Sequence, residues 1–138
     1  MLIAGGCHCG NLRFMLTWRP PPQRIPARAC GCSFCRKHGG VWTSCPGGSL
    51  AVRVRDPGLV QAYAFGTRTA DFHVCRACGV VPLVTSRIEE QLYAVVSVNA
   101  FEGVDPGLLE HAPATLLDPR RAHQLSRVIR LPRGSAGS

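Results

Sequence analysis

Alternating apolar positions predict that this chain is built mainly of β-strands. In the segment NLRFMLTW, residues 11–18, apolar side chains recur at Leu12, Phe14 and Leu16. A period of two places these side chains on one face, as in a half-buried strand. Further strands are predicted at VWTSC, LAVRVR, LVQAYAF and ADFHVC, which PGGS and DPG turns interrupt. The run QLYAVVSVNAF, residues 91–101, is the most apolar of these segments and predicts a central strand.

Two other segments do not follow the strand pattern. Residues 20–26, PPPQRIP, predict a stiff extended loop, because proline cannot lie in a helix interior. Residues 119–130, PRRAHQLSRVIR, are compatible with a helix that carries Ala122, Leu125 and Ile129 on one face. The basic residues of this segment would form another face, consisting of Arg120, His123, Arg127 and Arg130.

Length and composition indicate one globular domain. The chain has 138 residues, of which 46% are hydrophobic and 17% charged. This favours a single domain over residues 1–131, followed by a disordered tail at 132–138. No apolar run approaches the length of a membrane span, and the first residues lack the basic leader of a signal peptide. We therefore expect a cytoplasmic protein that does not enter the membrane.

The charge balance is basic but does not define a partner. The formal net charge is +8, and fifteen of the sixteen basic residues are arginine. Such a balance is compatible with acidic small molecules or with nucleic acid, and also with compositional drift in a chain rich in Ala, Gly and Pro. Of these partners, nucleic acid is the less favoured. The sequence does not indicate an oligomeric state.

Eight cysteines give the strongest chemical signal. Most occur in short motifs with the spacings C-x-C, C-x2-C and C-x-C-x2-C. Cysteines one or two residues apart rarely form a disulfide with each other, but they readily share a metal ion. In a chain without an export signal, these spacings favour metal binding over a disulfide framework.

The two outer pairs predict a closed zinc site. Cys7 and Cys9 lie in GGCHCGN, and Cys75 and Cys78 lie in HVCRACG. Alternate residues of a strand share a face, so the first pair can point toward one ion. Gly79 follows the second pair, and a positive φ there would turn backbone N–H groups toward sulfur. Four thiolates complete a tetrahedral structural site, which contributes folding energy.

The central motif leaves a question about its fourth ligand. Cys30, Cys32 and Cys35 supply three thiolates within CGCSFCRKHGG. Cys45 could complete a second closed site, but its place at the end of a strand-like run favours a buried apolar role. His38 is another possible ligand, and His8 a remote one. If none of these binds the metal, the zinc keeps an open position, as in catalytic sites.

The three motifs together resemble the glutathione-dependent formaldehyde-activating enzyme family, which includes centromere protein V. The matching elements are GGCHCGNLRF, CGCSFCRKHGG and FHVCRACG, in this order, within residues 3–100. The resemblance implies a mainly β fold, the β-tent, in which zinc staples antiparallel sheets. It also implies two Zn²⁺ per chain, the structural ion at the outer cysteines and the catalytic one at the central three. The family pattern has no obligatory ligand at the position of Cys45.

The reaction implied by the resemblance joins formaldehyde to glutathione, giving S-hydroxymethylglutathione, and is classed by its reverse as a carbon–sulfur lyase. In this interpretation Cys30, Cys32 and Cys35 hold the catalytic zinc, while Arg36 and Lys37 could bind the carboxylates of glutathione as co-substrate. His38 could transfer the proton to the new hydroxyl. Arg36 and Lys37 could equally serve to compensate the thiolate charge. Other electrophiles or thiols could use the same site, and a zinc-stapled binding module with an arginine face is the alternative outside catalysis.

Overall fold

The computed structural model describes residues 1–114 and 125–130 of the chain. In these residues it contains one short α-helix, α1 at Ser33–His38, and single 3₁₀ turns at Pro57–Leu59, Val98–Ala100 and Pro106–Leu108. The strands are β1 Leu2–Gly6, β2 Leu12–Thr17, β3 Ile25–Cys30, β4 Val41–Thr43, β5 Ser49–Val54, β6 Val60–Tyr63, β7 Asp71–Cys75, β8 Leu83–Ile88, β9 Gln91–Ser97, β10 Phe101–Glu102, β11 Leu109–Ala114 and β12 Ser126–Arg130. The mainly β class predicted from the sequence is therefore confirmed.

The described strands form one branched sheet. Its main path runs β10-β1-β2-β5-β12-β9-β4-β3-β11, and β8, β7 and β6 extend from β9 as a branch. Neighbours are antiparallel except at two places, where β11 runs parallel to β3 and β12 runs parallel to β5. This arrangement brings distant parts of the chain together, which is needed because the cysteine motifs are spread over residues 7–78.

The alternation read from the sequence appears directly in β2. Leu12, Phe14 and Leu16 are buried, whereas Met15 between them is exposed. The buried side chains pack in a first hydrophobic cluster with residues of β1 and β5. Burial of one face stabilises the strand by roughly 25 cal/mol for each Å² of apolar surface removed from water.

Strand β9 has the central position that its apolar sequence predicted. It pairs with β8 along most of its length and with β12 and β4 on its other edge. Ala94 and Val96 belong to the first hydrophobic cluster, whereas Val95 belongs to a second cluster that also contains Trp42 and Phe72. Because both faces of the strand are covered by apolar side chains, nearly every position in it is apolar.

The sequence was compatible with a helix at residues 119–130, but the described part of this segment is not helical. Ser126–Arg130 is strand β12, with Ser126 and Val128 buried and Arg127 exposed. Its backbone groups bond to β5 and β9 on either side, an arrangement that rewards an extended chain over a helical one. Arg120 and His123, and the tail expected at 132–138, lie outside the described residues.

No helix within the described parts of the chain is long and apolar enough to cross a membrane.

Candidate metal centres and the adjoining cavity

The outer cysteines converge as their spacing predicted. The Sγ atoms of Cys7, Cys9, Cys75 and Cys78 all lie within 4.8 Å of one another. Cys9 Sγ lies 3.7 Å from Cys7 Sγ and 3.5 Å from Cys75 Sγ. Four sulfurs around a zinc ion at about 2.3 Å would be separated by about 3.8 Å, so this cluster has the size of a tetrahedral zinc site. We call it the outer cysteine cluster.

Two similar turns aim the outer cysteines at a common centre. Cys7 and Cys9 follow the end of β1, and the N–H of Gly10 donates to the carbonyl of Cys7 at 3.1 Å. In the second turn the N–H of Gly79 donates to the carbonyl of Cys75 at 2.7 Å. Both glycines have a φ of 82°, which other residues rarely adopt, so the positive φ predicted at Gly79 is confirmed.

Burial and backbone donors set the protonation of the outer cluster. Burial is the main reason why the pKa of the Cys7 thiol is raised to about 11, although the N–H of Leu12 donates to its sulfur at 3.3 Å and opposes that shift. Burial also acts to raise the pKa of Cys78, but the N–H groups of Val80 and Cys9 and the neighbouring thiols lower it to about 6. Since metals bind thiolates, zinc binding has to displace protons from this cluster.

The central motif forms a second cluster of three sulfurs. The Sγ atoms of Cys30, Cys32 and Cys35 also lie within 4.8 Å of one another. In residues 1–114 and 125–130, no other Cys, His, Asp or Glu donor atom joins them. The three come from the end of β3 and the start of α1, so one short stretch of chain builds the whole cluster. We call it the central cysteine cluster.

The first turn of α1 orients two of these sulfurs. Cys32 is the N-cap of the helix, and its sulfur accepts a hydrogen bond from the N–H of Cys35 at 3.4 Å. Burial acts to raise the pKa of the Cys32 thiol, but donors including the N–H groups of Cys35 and Phe34 outweigh it and lower the pKa. The free N–H groups of a first helical turn are ready donors to a negative sulfur.

Trp42 holds the third sulfur. Its indole N–H donates to Cys35 Sγ at 3.3 Å, and both residues are buried. Burial raises the pKa of the Cys35 thiol well above its ordinary value, and the indole donor acts in the opposite direction. A donor aimed at a buried sulfur favours the thiolate form that a metal ligand requires. Sequence analysis placed Trp42 in a strand and did not recognise this role, because the contact depends on the pairing of β3 with β4.

A cavity of about 230 Å³ opens beside the central cysteine cluster and includes all three of its cysteines in its wall. Aromatic side chains form much of the remaining wall, namely Trp42, Phe65, Phe72 and Tyr93. Val95 and Leu125 add aliphatic surface. The cavity wall therefore combines residues from segments 30–35 and 91–97 with Leu125, which lies next to β12. No local sequence motif indicates that these residues meet.

Hydroxyl groups in the cavity wall are largely engaged with protein partners. Thr85 Oγ1 lies 2.7 Å from His73 Nε2, and both side chains are buried. Burial lowers the pKa of His73 to about 4, despite the opposing charge of Asp71, so its imidazole is neutral at neutral pH. The Ser86 hydroxyl donates to the carbonyl of Thr69 at 2.6 Å. These bonds leave the cavity less polar than its composition suggests.

The basic residues that follow the central cysteines lie outside this cavity. Arg36, Lys37 and His38 form the exposed last turn of α1. Lys37 and His38 line a separate surface groove, in which the His38 ring stacks on Phe34 with centroids 5.2 Å apart. Phe65 lines both the groove and the cavity, so the two recesses adjoin there. Arg36 is not part of either wall among the described residues.

The other candidate ligands are placed away from both clusters. Cys45 is buried in the first hydrophobic cluster, where its thiol donates to the carbonyl of Arg19 at 3.6 Å. Its backbone N–H donates to the Ser126 hydroxyl at 2.7 Å. His8 is exposed and does not belong to either sulfur group. This geometry agrees with the apolar role that the sequence favoured for Cys45.

A protein family matches most of this chain, and a curated protein matches a shorter part of it. Residues 2–115 match the family described as glutathione-dependent formaldehyde-activating enzyme. A protein from Halomonas elongata, provisionally named a glutathione-dependent formaldehyde-activating enzyme, is 39% identical over 54 residues. These residues are 39% of this chain and only 29% of that relative.

A solved structure shows the same fold. The crystal structure of a Rhodobacter sphaeroides protein superposes with a TM-score of 0.59 at 30% identity, covering 79% of this chain and 99% of the other. The family match includes both cysteine clusters and every described strand except β12. With the sulfur geometry and the family match in agreement, the chain belongs to the glutathione-dependent formaldehyde-activating enzyme family.

Proposed function

We propose that this protein is a zinc-dependent enzyme that forms and cleaves a carbon–sulfur bond between a thiol and an aldehyde, with S-hydroxymethylglutathione as the adduct implied by its family. The observation that carries the proposal is the central cysteine cluster, which supplies three cysteine sulfurs and faces a cavity. A metal held by three side chains has a coordination position left for a substrate atom.

The donor set of each cluster fits zinc. Four thiolates suit a closed structural site at the outer cluster, and three suit an open site at Cys30, Cys32 and Cys35. When bound at the central cluster, zinc favours the thiolate form of a substrate thiol, whose pKa in water is about 8.5. Three thiolates and one Zn²⁺ carry a net charge of −1, which suits thiol chemistry better than water activation.

The protein's own groups prepare the central cluster for this role. The indole N–H of Trp42 and the backbone N–H of Cys35 donate to cluster sulfurs, which fixes their positions and stabilises negative charge. The aromatic wall of the cavity places apolar surface beside the reacting atoms. Preorganised donors in such a site lose no free energy to reorientation during reaction.

The adjoining groove is the proposed place for the charged part of the thiol. Lys37 lines this groove and is exposed, so its ammonium can pair with a carboxylate of glutathione. Arg36 lies on the same helical turn as Lys37 and is exposed, but it does not line the groove. Proton transfer by His38 stays a prediction, and its imidazole would act from the groove, where it stacks on Phe34.

The test is the rate at which formaldehyde and glutathione reach equilibrium with S-hydroxymethylglutathione, measured by exchange NMR with zinc-loaded protein. We expect acceleration over the uncatalysed reaction, and a loss of at least about 100-fold in Cys32→Ser because removal of one ligand disrupts the metal site. Cys45→Ser is the matched control, since it removes a thiol outside both clusters. Full activity in Cys32→Ser, or no acceleration by the parent protein, would contradict the proposal.

A further inference from the structure

The cavity beside the central cysteine cluster is larger than formaldehyde requires. Its volume of about 230 Å³ is several times the ~30 Å³ that one water molecule occupies in the liquid. Formaldehyde has a single carbon and oxygen, so it would fill only a small part. The same cavity lies below the ~300–1,000 Å³ typical of pockets that enclose drug-sized ligands, and glutathione would not fit inside it entirely.

The wall of the cavity selects against charge. Among the described residues that line it, the three cysteines are the ionisable groups of the central cluster, and no Asp, Glu, Lys or Arg is present. Beyond the cysteines, most of the exposed wall surface is apolar, with aromatic rings and Val84, Val95 and Leu125 contributing, and the polar remainder includes hydroxyl groups. A carboxylate placed there would lose its hydration without gaining a partner of opposite charge among the described lining residues, and an ammonium would find such a partner only at the cysteine sulfurs.

Hydrogen-bonding capacity in the wall is reduced in the same way. The Thr85 hydroxyl is bonded to His73, and the Ser86 hydroxyl to the carbonyl of Thr69. Thr69 Oγ1 lies 2.9 Å from Thr67 Oγ1, so these two hydroxyls can bond to each other. A group that enters the cavity therefore meets mainly apolar surface, and burial of apolar surface is what it can gain.

We infer that the aldehyde partner of this protein carries an apolar substituent of several carbons, aliphatic or aromatic, which occupies this cavity while its carbonyl faces the central cysteine cluster. The inference rests on the proposed carbon–sulfur chemistry and narrows its substrate class. In the reaction the thiol loses its proton, sulfur bonds to the carbonyl carbon, and the C=O π pair moves to oxygen, which takes up one proton. One thiol and one aldehyde give one hemithioacetal, and the reverse breaks the same bond.

The expected preference for a larger aldehyde follows from the binding free energy that each added carbon contributes. Burial of one methylene group improves binding about fourfold. The quantity compared is kcat/KM for hemithioacetal formation with glutathione as thiol, divided by the uncatalysed rate constant for the same aldehyde. This ratio should be at least about tenfold greater for butanal than for formaldehyde. A second readout needs no turnover: butan-1-ol should change the intrinsic fluorescence at lower concentration than methanol, because Trp42 lines the cavity.

A larger side chain in the cavity wall should affect the reactions of the two aldehydes differently. Val95→Phe adds volume at a lining residue, so the kcat/KM for butanal should fall at least about tenfold while that for formaldehyde changes less than about twofold. Val54→Phe is the matched control, because Val54 lies at the end of β5 and does not line the cavity. If Val95→Phe does not fold, as judged by circular dichroism, Val95→Ile is used instead. It should also lower kcat/KM for butanal selectively, but by a smaller factor.

The outcomes distinguish this inference from the function on which it rests. Acceleration of formaldehyde without a greater effect on butanal, or an equal loss for both aldehydes in the Val95 variants, would overturn the inference and leave the carbon–sulfur chemistry intact. Acceleration of neither aldehyde would overturn both. Preference for butanal that is lost selectively in the Val95 variants, with a matching loss of butan-1-ol binding, is the expected result.

Discussion

Cys45 illustrates how position decides the role of a cysteine. It lies ten residues beyond Cys35 in the chain, and its side chain is only 3% exposed. Its neighbours are core residues and the carbonyl of Arg19, and its sulfur is not part of the central cysteine cluster. A buried thiol in apolar surroundings is a small hydrophobic side chain with little reactivity.

Cys45→Ala should therefore leave the zinc content of the protein unchanged. The free energy of unfolding should fall by about 1 kcal/mol, because one buried sulfur is removed from the core. Zinc analysis and chemical denaturation of the variant and the parent protein measure the two quantities. Loss of one zinc equivalent would mean that Cys45 completes the central site in solution, which would close the position proposed for substrate.

At the level of elements, the two cysteine clusters connect the chain differently. The outer cluster links the end of β1 to the turn after β7, and these strands do not hydrogen-bond to each other in the sheet. Cys9 and Cys75 are 66 positions apart in sequence. The central cluster lies within the six residues 30–35. A link between distant segments restricts the unfolded chain far more than one within a single turn.

Cys78→Ser should accordingly destabilise the whole domain, by roughly 3 kcal/mol or more, since binding of structural zinc contributes directly to folding. Cys32→Ser should cost less than about 1 kcal/mol of unfolding free energy, because it affects a local loop. Thermal and urea denaturation of zinc-loaded proteins compare the two variants. Equal destabilisation would show that the division into a structural and a catalytic cluster is incorrect.

The sequence was sufficient for elements whose signal is local. The cysteine spacings predicted the two outer pairs and the central three as units, because ligands a few residues apart depend mainly on the local turn. The joining of the two outer pairs, 66 positions apart, was predicted from the four ligands that a closed zinc site needs. The alternation in β2 and the apolar run of β9 correctly predicted that both segments are strands and which of their faces are buried. Helix α1 was not anticipated, since its six residues carry no apolar period and its N-cap is a cysteine.

Features that depend on tertiary contacts were not accessible from sequence alone. The apolar spacing of residues 119–130 predicted a helix, and this prediction is wrong for β12. The backbone groups at the edges of β5 and β9 favour an extended chain there, because they hydrogen-bond to it. The cavity wall is similarly assembled from separate elements, with Trp42 from β4, Phe72 from β7 and Val95 from β9. No spacing in the chain indicates that these side chains meet.

For the molecule as a whole, the two clusters predict a two-step loss of metal. The fully loaded protein should contain about two zinc ions per chain, one in each cluster. A competing chelator should remove the zinc of the central cluster first, because three protein ligands hold an ion less tightly than four. Metal analysis and a chromogenic chelator assay would detect two phases, of which Cys32→Ser should lack the faster. One zinc ion in the parent protein, or phases unaffected by this substitution, would contradict the assignment.

The place of β12 in the sheet has a consequence for protein synthesis. This strand separates β5 from β9, although it is the last strand described along the chain. While residues 1–114 emerge from the ribosome, all four cysteines of the outer cluster become available before residues 126–130 do. The outer cysteine cluster of the nascent chain can thus assemble while the facing edges of β5 and β9 still have unsatisfied backbone N–H and C=O groups. Such open edges are prone to pair with other chains, so arrival of β12 ends the interval in which aggregation is most favoured.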